Sequence, residues 1–136
     1  MSNNIHEWDV LAYACIDGRF IKRTTDWVSE QAGDVFDFST GVGSTKAINE
    51  SLSARDTFFE VIRTSLKLHR IKEVWIFDHI DCGAYGGSKE FDNDAEKEKE
   101  YHYKKLNESA KIIKEKFTNL IVKKFYVDWN GVEELN

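Results

Sequence analysis

Short apolar segments alternate along this chain with longer segments of helical periodicity, and no other feature restricts the fold as strongly. The apolar segments are the predicted strands at residues 8–14, 34–38, 73–77 and 120–127. Apolar side chains spaced three or four residues apart predict amphipathic helices over 20–32, about 53–69 and roughly 92–117. Alternation of this kind builds a parallel sheet with right-handed crossovers. We therefore predict an α/β fold with a mostly parallel central sheet of about four strands, a C-terminal edge strand and helices on both faces.

One domain spanning residues 1–136 accounts for the whole sequence. The chain contains no proline, and neither a Ser/Gly-rich linker nor an internal repeat marks a boundary. With 24 acidic and 19 basic side chains the formal net charge is −5, which disfavours a general nucleic-acid or anionic-membrane surface. The start MSNNIHEWDV lacks the features of a secretory leader, and no apolar stretch reaches the roughly 18 residues of a membrane span. We therefore expect a soluble, cytoplasmic protein that binds neither nucleic acid nor membrane.

Two cysteines and a histidine follow the predicted strands at their carboxyl ends. Cys15 comes directly after the first strand, and His79 and Cys82 come after the third. In parallel sheets, ligands bind beyond these ends, at the point where the strand order reverses. If the first and third strands are neighbours, with the second strand on the other side of the first, the three side chains meet there.

These three side chains suit a zinc ion. Thiolates and imidazoles are its preferred ligands, and three protein ligands leave a fourth position for water or substrate, as in catalytic zinc sites. The spacing His79-x-x-Cys82 lets one turn supply two ligands. Other interpretations stay open at this point, because cysteines are also buried as small hydrophobic residues. A further histidine can add a ligand, although His69 has the position of a helix-face residue, and His6 and His102 are expected at the surface.

Asp17 and Arg19 stand close to Cys15 in the stretch CIDGR. A carboxylate two residues from a thiolate ligand can accept a hydrogen bond from metal-bound water, or become the fourth ligand itself. Arg19 can hold that carboxylate in a bidentate ion pair, which fixes its orientation and keeps it off the metal. By itself such a pair is usually a surface ion pair. Next to three candidate zinc ligands it indicates a reactive site.

The motif CIDGR, followed at a distance by HIDCG, resembles the signature of the β-class carbonic anhydrases, Cys-x-Asp-x-Arg and then His-x-x-Cys-Gly. The similarity covers nearly the whole chain. GDVF is similar to the family's second strand, SLKLHRIKEVWIFDHIDCG to its helix, strand and zinc loop, and YVDWNGVEEL to its closing hairpin. Each short motif is weak alone, but both in order within the same α/β pattern form a strong signal.

The resemblance implies a function. Cys15, His79 and Cys82 would bind zinc, and Asp17 and Arg19 would form the catalytic dyad. Zinc lowers the pKa of its bound water, and the resulting zinc-bound hydroxide attacks carbon dioxide to give bicarbonate, with Asp17 as the acceptor that orients it. Family members build their pocket at a dimer interface, so a homodimer or a dimer-based oligomer is also implied.

Two segments depart from the family pattern and leave other functions compatible with the same residues. STGVG at 39–43 stands where many members carry Arg-Asn-Ala-Gly, and CGAYGGS is similar to short members of the superfamily. These departures concern the substrate pocket more than the metal site. The alternatives are hydrolysis of carbon disulfide or carbonyl sulfide on the same site, and a non-catalytic protein that binds zinc or bicarbonate. A redox role is disfavoured because there is no Cys-x-x-Cys, and GVGSTK lacks the residue order of a phosphate-binding loop.

Overall fold

The fold is known from a computed structural model, and the structure describes residues 6–136. Its strands are β1 (Val10–Cys15), β2 (Asp37–Gly41), β3 (Glu73–His79), β4 (Ile121–Val127) and β5 (Val132–Leu135). Its α-helices are α1 (Gly18–Ala32), α2 (Thr45–Glu50), α3 (Leu52–His69) and α4 (Ala95–Lys116). Two short 3₁₀ segments, Gly83–Tyr85 and Ser88–Phe91, lie between β3 and α4.

The described strands form one five-stranded sheet in the spatial order β2-β1-β3-β4-β5. Strands β1, β2, β3 and β4 pair in parallel, and β5 runs antiparallel to β4. The predicted α/β fold, with a mostly parallel sheet and a C-terminal edge strand, is therefore confirmed. The chain moves outward from β1 to β2 and then crosses back to β3, so the strand order reverses between β1 and β3.

Each face of the sheet carries its own hydrophobic core, because successive residues of a strand point to opposite sides. In β1, Leu11 and Tyr13 pack with α3 and α4 on one face, whereas Ala12 and Ala14 pack with α1 on the other. Helices therefore cover both faces, as predicted. Burial on both faces also explains why β1 and β3 are nearly continuous apolar runs rather than alternating ones.

The second strand lies further along the chain than its apolar pattern predicts. The prediction placed it at 34–38, but β2 begins at Asp37 and ends at Gly41. The register against β1 decides this, since it pairs Leu11 with Asp37 and Cys15 with Gly41. Pairing with a neighbouring strand thus overrides the local preference of the sequence for an earlier strand.

The helix boundaries agree with the sequence at some ends and differ at others. The helix predicted over 20–32 ends at Ala32 in the structure, where Gly33 is its C-cap with a φ of 95°. The predicted loop after the second strand contains the additional short helix α2. The helix predicted from about residue 53 begins at Leu52, and the Ser51 side chain caps it by accepting the Ala54 amide at 3.2 Å.

None of the helices in the described part of the chain combines the length and the apolar character needed to cross a bilayer. The expectation that the chain starts without a leader rests partly on residues 1–5, which lie outside the described residues.

Candidate metal centre

Two neighbouring strands end side by side and bring the two thiols and the imidazole together. Cys15 is the last residue of β1 and His79 the last residue of β3, and both are buried, as is Cys82. After β3, Asp81 adopts a left-handed backbone conformation (φ 57°) that turns the chain back, and Cys82 then begins the turn Gly83–Tyr85. One ligand atom from each of the three lies within 4.8 Å of the others, the one such group found in residues 6–136.

His79 presents a free lone pair in this group. Its Nδ1 lies 2.6 Å from the carbonyl oxygen of Ile80, and because a carbonyl can only accept, Nδ1 carries the proton. Nε2 is then the unprotonated nitrogen of the neutral ring. It is buried and has no hydrogen-bond partner within the described part of the chain. The ring is held by Phe20, whose ring centroid lies 4.5 Å away. A fixed tautomer with a free lone pair is what a metal-binding histidine requires.

The two thiols affect each other's pKa. The Cys82 thiol donates to the Cys15 sulfur and lowers the pKa of Cys15 against the effect of burial. Hydrogen bonds from the backbone amides of Asp17 and Gly43 act in the same direction. The contact raises the pKa of Cys82, because this thiol would lose its proton next to a thiolate. A metal binds both sulfurs as thiolates, so the lowered pKa of Cys15 favours ligation, and a bound cation would displace the proton of Cys82.

This donor set fits zinc. Two sulfurs and one imidazole nitrogen are soft and borderline ligands of the kind that zinc prefers, in the number found at catalytic sites. The other described histidines do not join the group. His6 is exposed as expected, and Nδ1 of His69 lies 2.7 Å from Asp37 Oδ2. The set therefore leaves a fourth tetrahedral position open.

Asp17 caps helix α1 and lies beside the three ligand atoms rather than among them. Its Oδ1 accepts the Arg19 amide at 2.9 Å. The Arg19 guanidinium binds the same carboxylate in a bidentate ion pair, Nε to Oδ1 at 3.0 Å and Nη2 to Oδ2 at 2.7 Å. These hydrogen bonds lower the pKa of Asp17 to about 2. Oδ2 lies 3.8 Å from Nε2 of His79, so the carboxylate borders the site while Arg19 restrains it.

Arg19 is held on its other side by Asp81, a residue that the sequence analysis did not single out. Arg19 Nη1 donates to Asp81 Oδ2 at 3.0 Å, and Nη2 donates to the Asp81 carbonyl oxygen at 2.9 Å. The rings of Phe20 and Trp129 lie 5.4 Å and 5.6 Å from the guanidinium carbon, within cation–π range. The sequence offered one indication that Asp81 belongs to the site, namely its position between the two candidate ligands of HIDCG.

Helix α4 buries two polar residues, and for His102 this corrects the expectation from the sequence. His102, expected at the surface, is 0% exposed, and its Nδ1 lies 2.6 Å from Asp78 Oδ2. Glu98 is 1% exposed, although acidic side chains are usually at the surface. Both residues lie one helical turn apart and continue the buried stripe that includes Leu106. Patterning by apolar residues overlooks them because both are polar.

Asp78 connects this helix to the loop beside Cys15. Its Oδ2 accepts the Thr45 hydroxyl at 2.7 Å, and its Oδ1 accepts the Thr45 amide at 3.2 Å. Thr45 begins α2, so these bonds fix the end of the loop over 42–44, whose Gly43 amide donates to the Cys15 sulfur. The glycine-rich segment thus provides a backbone hydrogen bond to the candidate ligand Cys15.

Little space remains next to the ligand atoms inside the chain. A cavity of about 10 Å³ is lined by Ala14, Cys15, Phe20, Thr24, Phe77, Asp78, His79 and Val127, which is no more than the space of one water molecule. A larger groove of about 630 Å³ lies on the surface, lined by Val42, Lys46, Ala47, Glu50, Ser51, Ala54 and Ala84. This groove adjoins both divergent loops, through Val42 of one and Ala84 of the other.

Comparison of the sequence with known proteins places these features in a family. Residues 6–135 match the model of a family described as "Putative carbonic anhydrase". An uncharacterized protein of Rickettsia bellii is 37% identical over 136 residues, covering 96% of this chain and 82% of that protein. An uncharacterized protein of Rickettsia conorii is 36% identical over 137 residues, covering 96% of this chain and 73% of that protein.

Solved structures of low sequence identity share the fold. The β-carbonic anhydrase CafD of Aspergillus fumigatus superposes with a TM-score of 0.61 at 12% identity, over 98% of this chain and 92% of that one. The β-carbonic anhydrase CafA of the same fungus gives a TM-score of 0.52 at 16% identity, over 96% and 76%. At these identities the likeness is one of architecture.

Proposed function

The chain belongs to the carbonic anhydrase-like family that it matches over residues 6–135, and on this premise we propose that it is a zinc-dependent enzyme that reversibly hydrates carbon dioxide to bicarbonate. The proposal rests on the short distance between three candidate ligands and an ion-paired carboxylate. The ligand atoms of Cys15, His79 and Cys82 lie within 4.8 Å of one another, and the ion-paired Asp17 carboxylate lies 3.8 Å from Nε2 of His79. A purely structural metal site would not need that carboxylate.

The chain's own residues have distinct tasks in this reaction. Cys15 Sγ, Cys82 Sγ and His79 Nε2 would hold the metal, and zinc supplies the Lewis acidity that makes water a nucleophile near neutral pH. Asp17, an ion-paired carboxylate, accepts a hydrogen bond from the reacting water and so orients its lone pair toward carbon dioxide. Arg19 keeps Asp17 in that orientation. The amides that donate to the Cys15 sulfur withdraw part of the charge that a thiolate gives to a metal.

The proposal is tested by stopped-flow carbon dioxide hydration on protein of measured zinc content. We expect about one zinc per chain and a hydration rate that depends on zinc. Asp17→Ala should lower that rate at least about 100-fold without loss of zinc, because it removes the acceptor of the reacting water. Asp26→Ala is the matched control, since Asp26 is an exposed carboxylate of the same helix that pairs with Lys22.

Three outcomes would contradict the proposal in different ways. Full zinc occupancy without hydration above background would favour the hydrolysis of carbon disulfide or carbonyl sulfide, or a non-catalytic zinc or bicarbonate protein. Full activity in Asp17→Ala would remove Asp17 from the mechanism. A metal-free protein with a Cys15–Cys82 disulfide would exclude every zinc function. Both cysteines are free thiols in the structure, and since ligation needs reduced sulfur, we propose a cytoplasmic location.

A second copy of the chain is part of the proposed function. The cavity beside the ligands has a volume of only about 10 Å³, so the substrate pocket must be completed outside it. Val42 lines the groove described above and is 61% exposed, and Leu52, which follows the lining residue Ser51, is 70% exposed. Exposed apolar surface of this kind is typical of contacts between subunits. We therefore propose a homodimer whose interface covers this groove and encloses the substrate.

A further inference from the structure

Glu98 is a buried carboxylate whose side-chain hydrogen-bond partners lie outside its own helix. It is 1% exposed, whereas the other acidic residues of α4 are exposed: Glu96, Glu100, Glu108 and Glu115. Its Oε2 accepts the Asp81 amide at 2.7 Å, and its Oε1 accepts the Ser88 hydroxyl at 2.7 Å. Both donors belong to the segment between β3 and α4, which also carries Cys82.

A buried carboxylate that is bonded to an amide and a hydroxyl, rather than to a cation, is costly to maintain. Removing a carboxyl group from water is unfavourable, and apolar side chains of similar volume are often at least as favourable for stability as buried charges. Stability alone therefore does not account for Glu98. The contacts of its partner Asp81 suggest a different reason.

Asp81 is the residue whose backbone Glu98 holds. Its φ of 57° is left-handed, a backbone conformation that is unfavourable for a non-glycine residue. Its amide is bound by Glu98, and its Oδ1 accepts the Ser88 amide at 2.8 Å. Its Oδ2 and its carbonyl oxygen accept the two hydrogen bonds from Arg19. The orientation of both acceptors toward Arg19 thus depends on the strained turn that Glu98 stabilises.

We propose that Glu98 is a positioning residue for Asp17. Glu98 fixes Asp81, Asp81 holds Arg19 from one side, and Arg19 holds the Asp17 carboxylate 3.8 Å from Nε2 of His79. Without these contacts, Asp17 is free to turn away from the site or to enter the ligand set. The importance of Asp17 rests on the proposed function, but the contacts themselves require neither metal nor turnover.

The test follows the Arg19 guanidinium by NMR, because its Nε–H donates to Asp17. In the purified protein of measured zinc content, the Nε–H signal is assigned by its loss in Arg19→Lys, and its hydrogen-exchange rate is measured. Glu98→Leu removes both acceptors at similar volume, and we expect exchange to accelerate about tenfold or more, as for the loss of about one hydrogen bond. Glu98→Gln keeps an acceptor for the Asp81 amide, so we expect exchange within about twofold of the wild type.

The control and the alternative outcomes make the test decisive. Glu100→Gln makes the same chemical change at an exposed position of the same helix and should leave the exchange of Arg19 unchanged. Unchanged exchange in a folded Glu98→Leu protein overturns the proposal, and so does an acceleration in Glu98→Gln as large as in Glu98→Leu. If Glu98→Leu does not fold, Glu98→Asp can replace it, because the shorter side chain moves the carboxylate away from the Asp81 amide. Faster exchange of the Arg19 Nε–H is then expected as well.

Carbon dioxide hydration, measured in parallel, separates the two proposals. An inactive wild type in which Glu98→Leu still accelerates Arg19 exchange contradicts the proposed function alone. An active wild type in which the Glu98 variants leave Arg19 exchange unchanged contradicts the positioning role alone.

Discussion

At the residue scale, His79 has the environment that restricts the site most. Buried polar atoms are normally hydrogen-bonded, and one left without a partner costs about 1–3 kcal/mol. Nε2 of His79 is such an atom among the described residues, and it belongs to a group whose ligand atoms lie within 4.8 Å of one another. A cation bound there would accept the free lone pair and remove the cost. The side chain is thus better adapted to a metal than to a purely apolar core.

The ligand set can be tested one side chain at a time. We expect Cys82→Ser to lower the zinc content from about one per chain to below about a tenth, because a neutral hydroxyl is a poor zinc ligand. It should also abolish the rise in melting temperature that zinc gives to the wild type, since zinc then no longer favours the folded state. Elemental analysis after dialysis and thermal melts with and without zinc measure both effects. His6→Ala, at an exposed position, should retain zinc, and full occupancy in Cys82→Ser would exclude Cys82 as a ligand.

At the element scale, Asp17 has two tasks that the structure combines in one side chain. It is the N-cap of α1, where Oδ1 accepts the Arg19 amide at 2.9 Å, and it is also the carboxylate that borders the site. The periodicity of the sequence starts this helix at about residue 20, whereas the structure starts it at Gly18. The cap therefore brings the first turn of α1 against the end of β1, and with it Arg19.

The two tasks of Asp17 can be separated by substitution. Asp17→Ala should lower the free energy of unfolding by about 1 kcal/mol, because it removes the cap. Asp17→Ser should cost less than half of that, because a serine hydroxyl also caps helices, yet its hydration rate should fall as far as that of Asp17→Ala. Urea denaturation and stopped-flow hydration measure the two effects. A Ser variant that remains active would show that the carboxylate is dispensable.

The end of β2 has no room for a side chain. A Cβ on Gly41 would overlap the hydroxyl oxygen of Tyr13 and lie 3.0 Å from its Cζ. Tyr13 is 2% exposed and donates to the Ser44 carbonyl oxygen at 3.1 Å, so it cannot move away freely. We expect Gly41→Ala to cost about 1–3 kcal/mol of stability and less in a Tyr13→Phe background. A double-mutant cycle by urea denaturation measures the difference, and equal costs in both backgrounds would contradict the contact.

At the scale of the whole molecule, the candidate metal centre lies at the carboxyl edge of the sheet, close to exposed apolar side chains. Ile16 directly follows Cys15 and is 57% exposed, and Val42 follows β2 and is 61% exposed. Exposed apolar surface beside a site is typical of contacts between subunits. Cover by a second copy would remove them from solvent and would also complete the pocket.

The proposed dimer can be tested with a single charge. We expect Val42→Glu to shift the protein from dimer to monomer in sedimentation velocity and to reduce carbon dioxide hydration, because a buried, unpaired carboxylate opposes association. Val35→Glu is the control, since Val35 is 57% exposed and precedes β2, at the opposite end of the sheet. A Val42→Glu protein that is still dimeric would place the interface elsewhere.

Much of the fold and of the candidate site could be predicted because it is encoded locally. The α/β class follows from alternating periodicities, and the three candidate ligands follow from the residue types at two strand ends. The position of β2 could not be predicted in the same way, because its register depends on hydrogen bonds to β1. Asp81 and Glu98 were missed for a similar reason, since their hydrogen-bond partners are distant along the chain. In addition, a pattern of apolar residues cannot reveal that a polar residue such as Glu98 is buried.

By itself, the sequence determined the class of fold, and it predicted the three candidate metal ligands and the Asp17–Arg19 pair, because these depend on periodicity, on residue type at the strand ends and on local spacing. Only the tertiary structure decided that β1 lies between β2 and β3, which brings Cys15 to His79 and Cys82. It also decided that Glu98 and His102 of α4 are buried behind the site. Burial is a property of the packed whole, and a charged side chain enters the interior only where packing supplies its hydrogen-bond partners.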